Sequence, residues 1–335
     1  VGTAGAVKGL LPEQIRALGS EMILANTYHF MLRPGVDVVE RLGGLHRFMA
    51  WDGPILTDSG GYQIFSLSDL TRIDDQGVHF ASHLDGARID LDAETAVQIQ
   101  NRLGADVIMC LDQCTPYPVE KADLDRAVDR TIRWAARCRQ AHRRTDQMLF
   151  GIVQGGTDLA VRAACADALQ EIGFEGYAIG GLSVGEGHDL MIRTVEHTAG
   201  LLDPGKPRYL MGAGMPADIV AAVRSGVDMF DCVLPTRNGR NAYAFTAGGP
   251  LRMRNSIHAE DPAPIEAGCD CYACRHYTRA TIRHFCNCGE MLGSILLSMH
   301  NIRFYQRLMA QIRDAIERDL FATWSAEALG HYRSV

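Results

Sequence analysis

The sequence has no apolar run long enough to span a bilayer and nothing resembling a secretion signal, so neither a membrane-embedded nor an exported protein is expected. It has no low-complexity tract and no internal repeat beyond an alternation of strand-like and helix-like segments. An excess of positive charge is missing too. The net charge of −7 argues against a protein that captures nucleic acid nonspecifically. Lysine is absent between Pro235 and Ala310, where nine arginines face five acids. A local basic face on an acidic chain suits one anionic partner of defined shape, although a solvated surface reads the same from charge alone. Without an export signal, the ten cysteines point to a reducing cytoplasm and not to a disulfide framework.

What the chain does have is length and core. Its 335 residues, 47% apolar, suffice for one large α/β domain or two smaller ones. Three cysteines, Cys269, Cys271 and Cys274, fall within six residues, and His300 follows 26 residues later. Three thiolates and an imidazole make a Cys₃His set of the kind that closes a tetrahedral structural zinc site, with no position left for water. Such a zinc would brace a surface and do no chemistry. Scattered cysteines such as Cys110, Cys138 and Cys165 read as buried small hydrophobes. Cys286 and Cys288 form a second C-x-C that either competes for the metal or simply packs.

Seven strand candidates, Met22–Asn26, Ile55–Asp58, Val107–Leu111, Leu149–Val153, Tyr177–Gly180, Arg208–Gly212 and Met229–Val233, alternate with helical patterns. The helical stretches include Ala93–Leu103, Leu124–Ala141, Leu159–Glu171, Asp189–Leu201 and Ala217–Arg224, with Asp92 and Thr157 as candidate N-caps. Repeated βα units imply a parallel sheet covered by helices. Asp58, Asp112, Gln154, Gly181 and Asp231 each close a different strand. In a (β/α)₈ barrel those ends converge on one mouth, whereas an open sheet spreads them along an edge. The expectation is therefore a TIM barrel whose first strand is cut short at Val1. Residues 1–234 would form it, with a rim hairpin at 72–91 turning at Asp85-Gly86. Residues 235–300 would be an Arg-rich zinc-binding insertion, and 301–335 a closing helical segment.

The Thr57-Asp58-Ser59-Gly60-Gly61-Tyr62 turn lets backbone N–H groups approach a ligand beside a carboxylate, although Asp-Ser-Gly-Gly could equally cap a helix. Asp231 ends a second strand and leads directly into the Arg-rich stretch. Asp112, Gln154 and exposed backbone at Gly180-Gly181 offer the donors and acceptors that read a purine-like edge.

The stretches NTYHFMLRPG, TDSGGYQIFSL, MCLDQC, GIVQGG, AIGGLSVGE, YLMGAGMP, MFDCVLPTRNGRNA, CDCYAC and HNIRFY together resemble the bacterial-type tRNA-guanine transglycosylases. The resemblance implies a zinc-bearing TIM barrel, homodimeric and cytoplasmic. It would exchange guanine for a 7-deazaguanine base at the wobble position of tRNAs with GUN anticodons, those for Asp, Asn, His and Tyr. It also implies Asp231 as nucleophile and Asp58 as proton donor and acceptor. Asp58, Ser59, Gly60, Gly61, Tyr62, Asp112, Gln154, Gly181, Leu182 and Met211 would line the base site. Gly212, Ala213, Gly214, Met215, Pro216, Ala217 and Asp218, with Thr236, Arg237, Asn238, Gly239 and Arg240, would hold the anticodon loop. Cys114 and Val184 match the pattern that takes 7-aminomethyl-7-deazaguanine in preference to queuine. Three rivals differ in what they explain. A family member exchanging queuine itself would differ at the pocket wall. A non-catalytic RNA-binding subunit would need neither Asp58 nor Asp231. A barrel glycosidase would leave the zinc cluster and the arginines without purpose.

Overall fold

A computed structural model describes residues 1–63 and 72–333, so the end of the TDSGGYQIFSL stretch, from residue 64, lies outside the described residues. The chain divides into two compact units. One holds Val1–Gly5, Met22–Ala213 and Ser225–Asp231; the other holds Ala6–Glu21, Gly214–Arg224 and Cys232–Val335. No helix among the described residues is long and apolar enough to cross a membrane.

The first unit is built on parallel strands. In chain order these are β1 (Ile23–Ala25) and β2 (Ile55–Thr57), then the rim strands β3 (Arg72–Ile73), β4 (Gly77–Ala81) and β5 (Arg88–Asp92), then β6 (Val107–Met109), β7 (Met148–Val153), β8 (Gly176–Ile179), β9 (Arg208–Leu210) and β10 (Met229–Phe230). The parallel sheet runs β1-β2-β6-β7-β8-β9-β10, so every strand pairs with its successor and the order never reverses. Right-handed crossovers in one direction place every connecting helix on one face. The other face is then left to be buried against itself, which requires the sheet to curl into a barrel wall. All seven strands sit where the apolar runs predict them. An N–H and C=O of one strand residue point the same way, so Ile23, bonded to Pro54 O, faces β2 and Leu24 faces the opposite edge. Gly2 donates to Leu24 O on that edge at 2.6 Å, so the first residues lie alongside β1 where an eighth strand would run.

The inner face carries Leu24, Leu56, Val107, Met109, Phe150, Ile152, Ala178 and Tyr209, with Val1, Met211 and Met229 packed against them. Outside, the helix Lys121–Ala141 buries Leu124, Ala127, Val128, Thr131, Trp134, Ala135 and Cys138, a stripe at helical spacing. Asp92 caps the helix Ala93–Leu103 through the Thr95 N–H, as expected. At the next candidate cap the structure corrects the sequence by one residue. Asp158, not Thr157, caps Leu159–Ile172, accepting from the N–H groups of Ala160 and Val161. A carboxylate there satisfies two free donors and complements the helix dipole, which a hydroxyl does less well. On the rim, the expected hairpin is β4–β5, closed by Ser82 and Ala87 around Asp85-Gly86. β3 adds a third strand, because Asp74 accepts from the N–H groups of Gln76 and Gly77 and makes a second turn.

The second unit is organised by the helix Met291–Glu317, against which Leu234–Arg240, Tyr272–His276 and Arg279–Cys288 pack. Gly239 meets it so closely that a Cβ would sit 2.7 Å from Ser298 N. The short pair β11 (Tyr243–Ala244) and β12 (Leu251–Arg252) is tied to the same helix by the buried Asn301. Its Oδ1 accepts from Phe245 N at 2.9 Å, and its Nδ2 donates to Pro235 O at 3.0 Å and Tyr243 O at 2.9 Å. Replacing Asn301 by Ala strands Phe245 N and Tyr243 O, each costing about 1–3 kcal/mol if left unsatisfied. Denaturant melts of Asn301→Ala should therefore show a loss of about 2 kcal/mol or more; a loss below about 1 kcal/mol would show that the knot is dispensable.

Candidate active site and metal centre

Strand side chains alternate with a period of two, so the inner-face residues forecast what comes next. Leu24 leads to Asn26, Leu56 to Asp58, Ile152 to Gln154 and Met229 to Asp231, all at the C-terminal strand ends. Polar groups thus follow the apolar layer at the mouth of the barrel wall. Asp112 breaks this spacing; it comes three residues after Met109 and reaches the group from the loop beyond β6.

Asp58 is buried and takes hydrogen bonds from Thr27 N at 2.8 Å, from Asn26 Nδ2 and from Gln63. Its backbone carbonyl accepts from Thr27 Oγ1. Burial pushes its pKa up to about 6, the hydrogen bonds oppose that rise, and the negative charge of Asp231 adds to it. Asp231 accepts from Tyr209 Oη at 2.6 Å and Gly212 N at 2.8 Å, both on Oδ1. Among the described residues its Oδ2 makes no hydrogen bond. One oxygen is held and the other is open.

Asp112 accepts from Gln154 Nε2 at 2.6 Å and from Ser59 Oγ at 3.3 Å, and burial also pushes it up to about 6 against those two bonds. With its nitrogen spent on Asp112, Gln154 keeps a buried Oε1 that has no partner among the described residues. That orphan acceptor suits an N–H of a ligand. Gly181, at φ +64°, fits against it only for want of a side chain: a Cβ would stand 2.2 Å from Gln154 Oε1. Gly61 N donates to Ser59 Oγ at 3.3 Å, and Gly60 lies against the Tyr28 backbone. Leu182 and Cys114 are buried, Met211 is half-buried against the barrel core, and Tyr62 is half-exposed. Glu186 accepts from the N–H groups of Ser183 and Val184, fixing the loop after Gly181.

Of the residues expected to meet RNA, Gly212 is exposed and Ala213 buried in the first unit. In the second, Met215, Arg237 and Arg240 are exposed, Ala217, Asp218 and Asn238 are half-buried, and Gly214, Pro216, Thr236 and Gly239 are buried. Sequence reading overlooked Asn26, Thr27 and Tyr209. The first two lie in the NTYHF stretch, where the inner-face spacing could have found Asn26; a tyrosine inside a strand gave no such signal.

The Cys₃His set does come together, its donor atoms all lying within 4.8 Å of one another. His300 Nδ1 stands 3.7, 3.8 and 3.3 Å from the Sγ atoms of Cys269, Cys271 and Cys274. A tetrahedron with metal–sulfur bonds of about 2.3 Å and metal–nitrogen bonds of about 2.0 Å places such atoms about 3.6 Å apart, so the four fit one metal ion. His300 Nε2 donates to Phe245 O at 2.7 Å, leaving Nδ1 as the ligand atom. Cys286 packs beside Gly293, and Cys288 is exposed beside His284. Neither joins the four.

A family profile described as "Queuine tRNA-ribosyltransferase" matches residues 1–334. Relatives bearing that name include one from Marinobacter nauticus, 50% identical over 98% of this chain and 88% of its own length. Those from Novosphingobium aromaticivorans and Nitrosomonas eutropha are each 52% identical over 98% of this chain, covering 89% and 91% of the relatives.

Two measurements follow from this geometry. Because Asp58 holds its proton more tightly folded than unfolded, it favours folding in acid and withdraws that support as pH rises from about 4 toward about 6. Carboxyl ¹³C NMR should give Asp58 a midpoint near 6, falling in Asp231→Asn when the neighbouring charge is removed; an ordinary midpoint near 4 would refute the burial argument. For the metal, elemental analysis should find that Cys271→Ser and His300→Ala lose the ion while Cys286→Ser and Cys288→Ser keep it. The reverse pattern would reassign the ligands.

Proposed function

The chain belongs to the queuine tRNA-ribosyltransferase family, and on that footing we propose that it exchanges guanine at the wobble position of GUN-anticodon tRNAs for 7-aminomethyl-7-deazaguanine, through a covalent enzyme–RNA intermediate. The observation that carries this reading is the pair of unlike carboxylates at strand ends of one barrel wall. Asp231 has one oxygen tied down by Tyr209 and Gly212. Its other oxygen is the one to attack C1′. As that bond forms, the bond from C1′ to the purine nitrogen breaks and its electron pair leaves with guanine. Asp58, buried and with its pKa raised to about 6, takes up and releases a proton close to neutrality, and in its protonated form gives that proton to the departing base. The incoming base returns a proton to Asp58, its nitrogen attacks C1′, and Asp231 leaves as a free carboxylate. Atoms and charge balance, and no water is consumed.

The base is read by Asp112 as acceptor, Gln154 Oε1 as a second acceptor, and the backbone at Gly181, with Tyr62 stacking on it. Cys114 is buried and Val184 is held by Glu186, and both match the family pattern that takes the small aminomethyl base in preference to queuine. Gly212–Asp218 and Thr236–Arg240 hold the anticodon loop, for which exposed Arg237 and Arg240 supply positive charge. The metal of the Cys₃His set is zinc, the ion that this soft, closed donor set suits. It braces the segment and lends no open coordination position to chemistry. A homodimer is the assembly that the resemblance implies, and sedimentation reads it directly.

Incubation with radiolabelled guanine and a tRNA bearing guanine at the wobble position should place label in the RNA. Asp231→Ala should abolish both exchange and any denaturant-resistant adduct while retaining RNA binding; full exchange in that variant would remove Asp231 from the nucleophile role. Asp58→Asn should slow turnover by more than about 10²-fold. A near-normal rate would hand proton transfer to another group, Asp112 first.

A further inference from the structure

Arg162, on the helix Leu159–Ile172, is wholly buried, the one arginine so placed among the described residues. Its guanidinium donates Nε to Gly156 O at 2.6 Å, Nη2 to Gly180 O at 2.8 Å and Nη1 to Val153 O at 3.5 Å. No carboxylate hydrogen-bonds to it among the described residues. Burial lowers its pKa to about 10, with Cys165 and Glu186 opposing the fall. A buried cation whose hydrogen bonds among the described residues all go to carbonyls is a poor way to fill a core, since an apolar side chain of similar volume avoids the desolvation.

The carbonyls it chooses explain its retention. Val153 O lies in the same rigid peptide plane as Gln154 N, and Gly180 O in that of Gly181 N. The β7–β8 ladder ends at Val153 and Ile179, with Gly180 N to Val153 O at 3.0 Å as its last bond. At this last bond Arg162 takes hold of both chains, at Val153 O on one and Gly180 O on the other. Gly155 permits the approach: at φ +142° it has no side chain, where a Cβ would stand 2.7 Å from Arg162 Cγ.

We propose that Arg162 is a positioning residue that straps the ends of β7 and β8 together, holding Gln154 and Gly181 at the mutual spacing that recognises the purine-like base. This rests on the reading of Gln154 and Gly181 as base-binding residues. The strap acts on the base and leaves the RNA docking segments alone, so its signature is selective.

The test uses the full chain with its metal. Wild-type protein is assayed first, because failure to incorporate guanine into tRNA defeats the proposed function whatever Arg162 does. Arg162→Lys keeps the charge and loses the fork; Arg162→Met loses both. KM for guanine should rise in the order wild type, Lys, Met, by about 10- to 100-fold, the scale of a misplacement of about an ångström. KM for tRNA should stay within about twofold, a change too small to count as lost affinity. Unchanged guanine KM, or a fall in kcat that merely tracks the folded fraction, overturns the proposal and leaves Arg162 as packing. If neither variant folds, wild type labelled at arginine ¹⁵Nε decides. The exchange-protected Arg162 resonance should move when guanine saturates the site, and an unmoved resonance overturns the strap.

Discussion

The chemistry of the first unit hangs on an alternation of period two that does not stop where the strands stop. Apolar residues at one parity fill the inner face, and the next residue of that parity on β1, β2, β7 and β10 is Asn26, Asp58, Gln154 or Asp231. Because the core fixes the parity, a one-residue slip of any of these strands would turn its polar end group outward and its core residue with it. Correct packing and a correctly aimed site are thus one condition.

Burial then differentiates groups of the same kind. Asp58 and Asp112 are both pushed up to about 6, but their hydrogen bonds give them different work. Asp58 is fed by Asn26, Thr27 and Gln63 and feels the charge of Asp231. Asp112 orients an amide whose oxygen has no partner among the described residues. Among the described residues, Asp231 takes its hydrogen bonds on one oxygen alone. Three carboxylates of one side-chain type thereby differ in which neighbours hold their oxygens.

Much of this was legible in the sequence, for reasons that can be named. The seven strands were visible because buried parallel strands read as short apolar runs, and the metal ligands because thiolate spacing is set by coordination geometry. The Asp158 cap was missed by one residue because Thr157 and Asp158 are both capping residues and only backbone geometry separates them. β3 escaped notice because two residues carry no periodicity. Tyr209 and Arg162 were invisible for a deeper reason. Their partners lie on other elements, at Asp231 and at two strand ends, so no local pattern announces them.

The hairpin beside the metal centre settles a choice that coordination chemistry leaves open. Four thiolates hold zinc as readily as three thiolates and an imidazole. Yet Phe245 is gripped at both ends of its backbone by consecutive residues of one helix, its N–H by Asn301 and its C=O by the far nitrogen of His300. A cysteine at position 300 would complete a sound ligand set and leave that carbonyl buried without a donor. Ligand identity at this corner is dictated by the chain that passes behind it, so an exchange of ligand type would require a new donor for Phe245 at the same time.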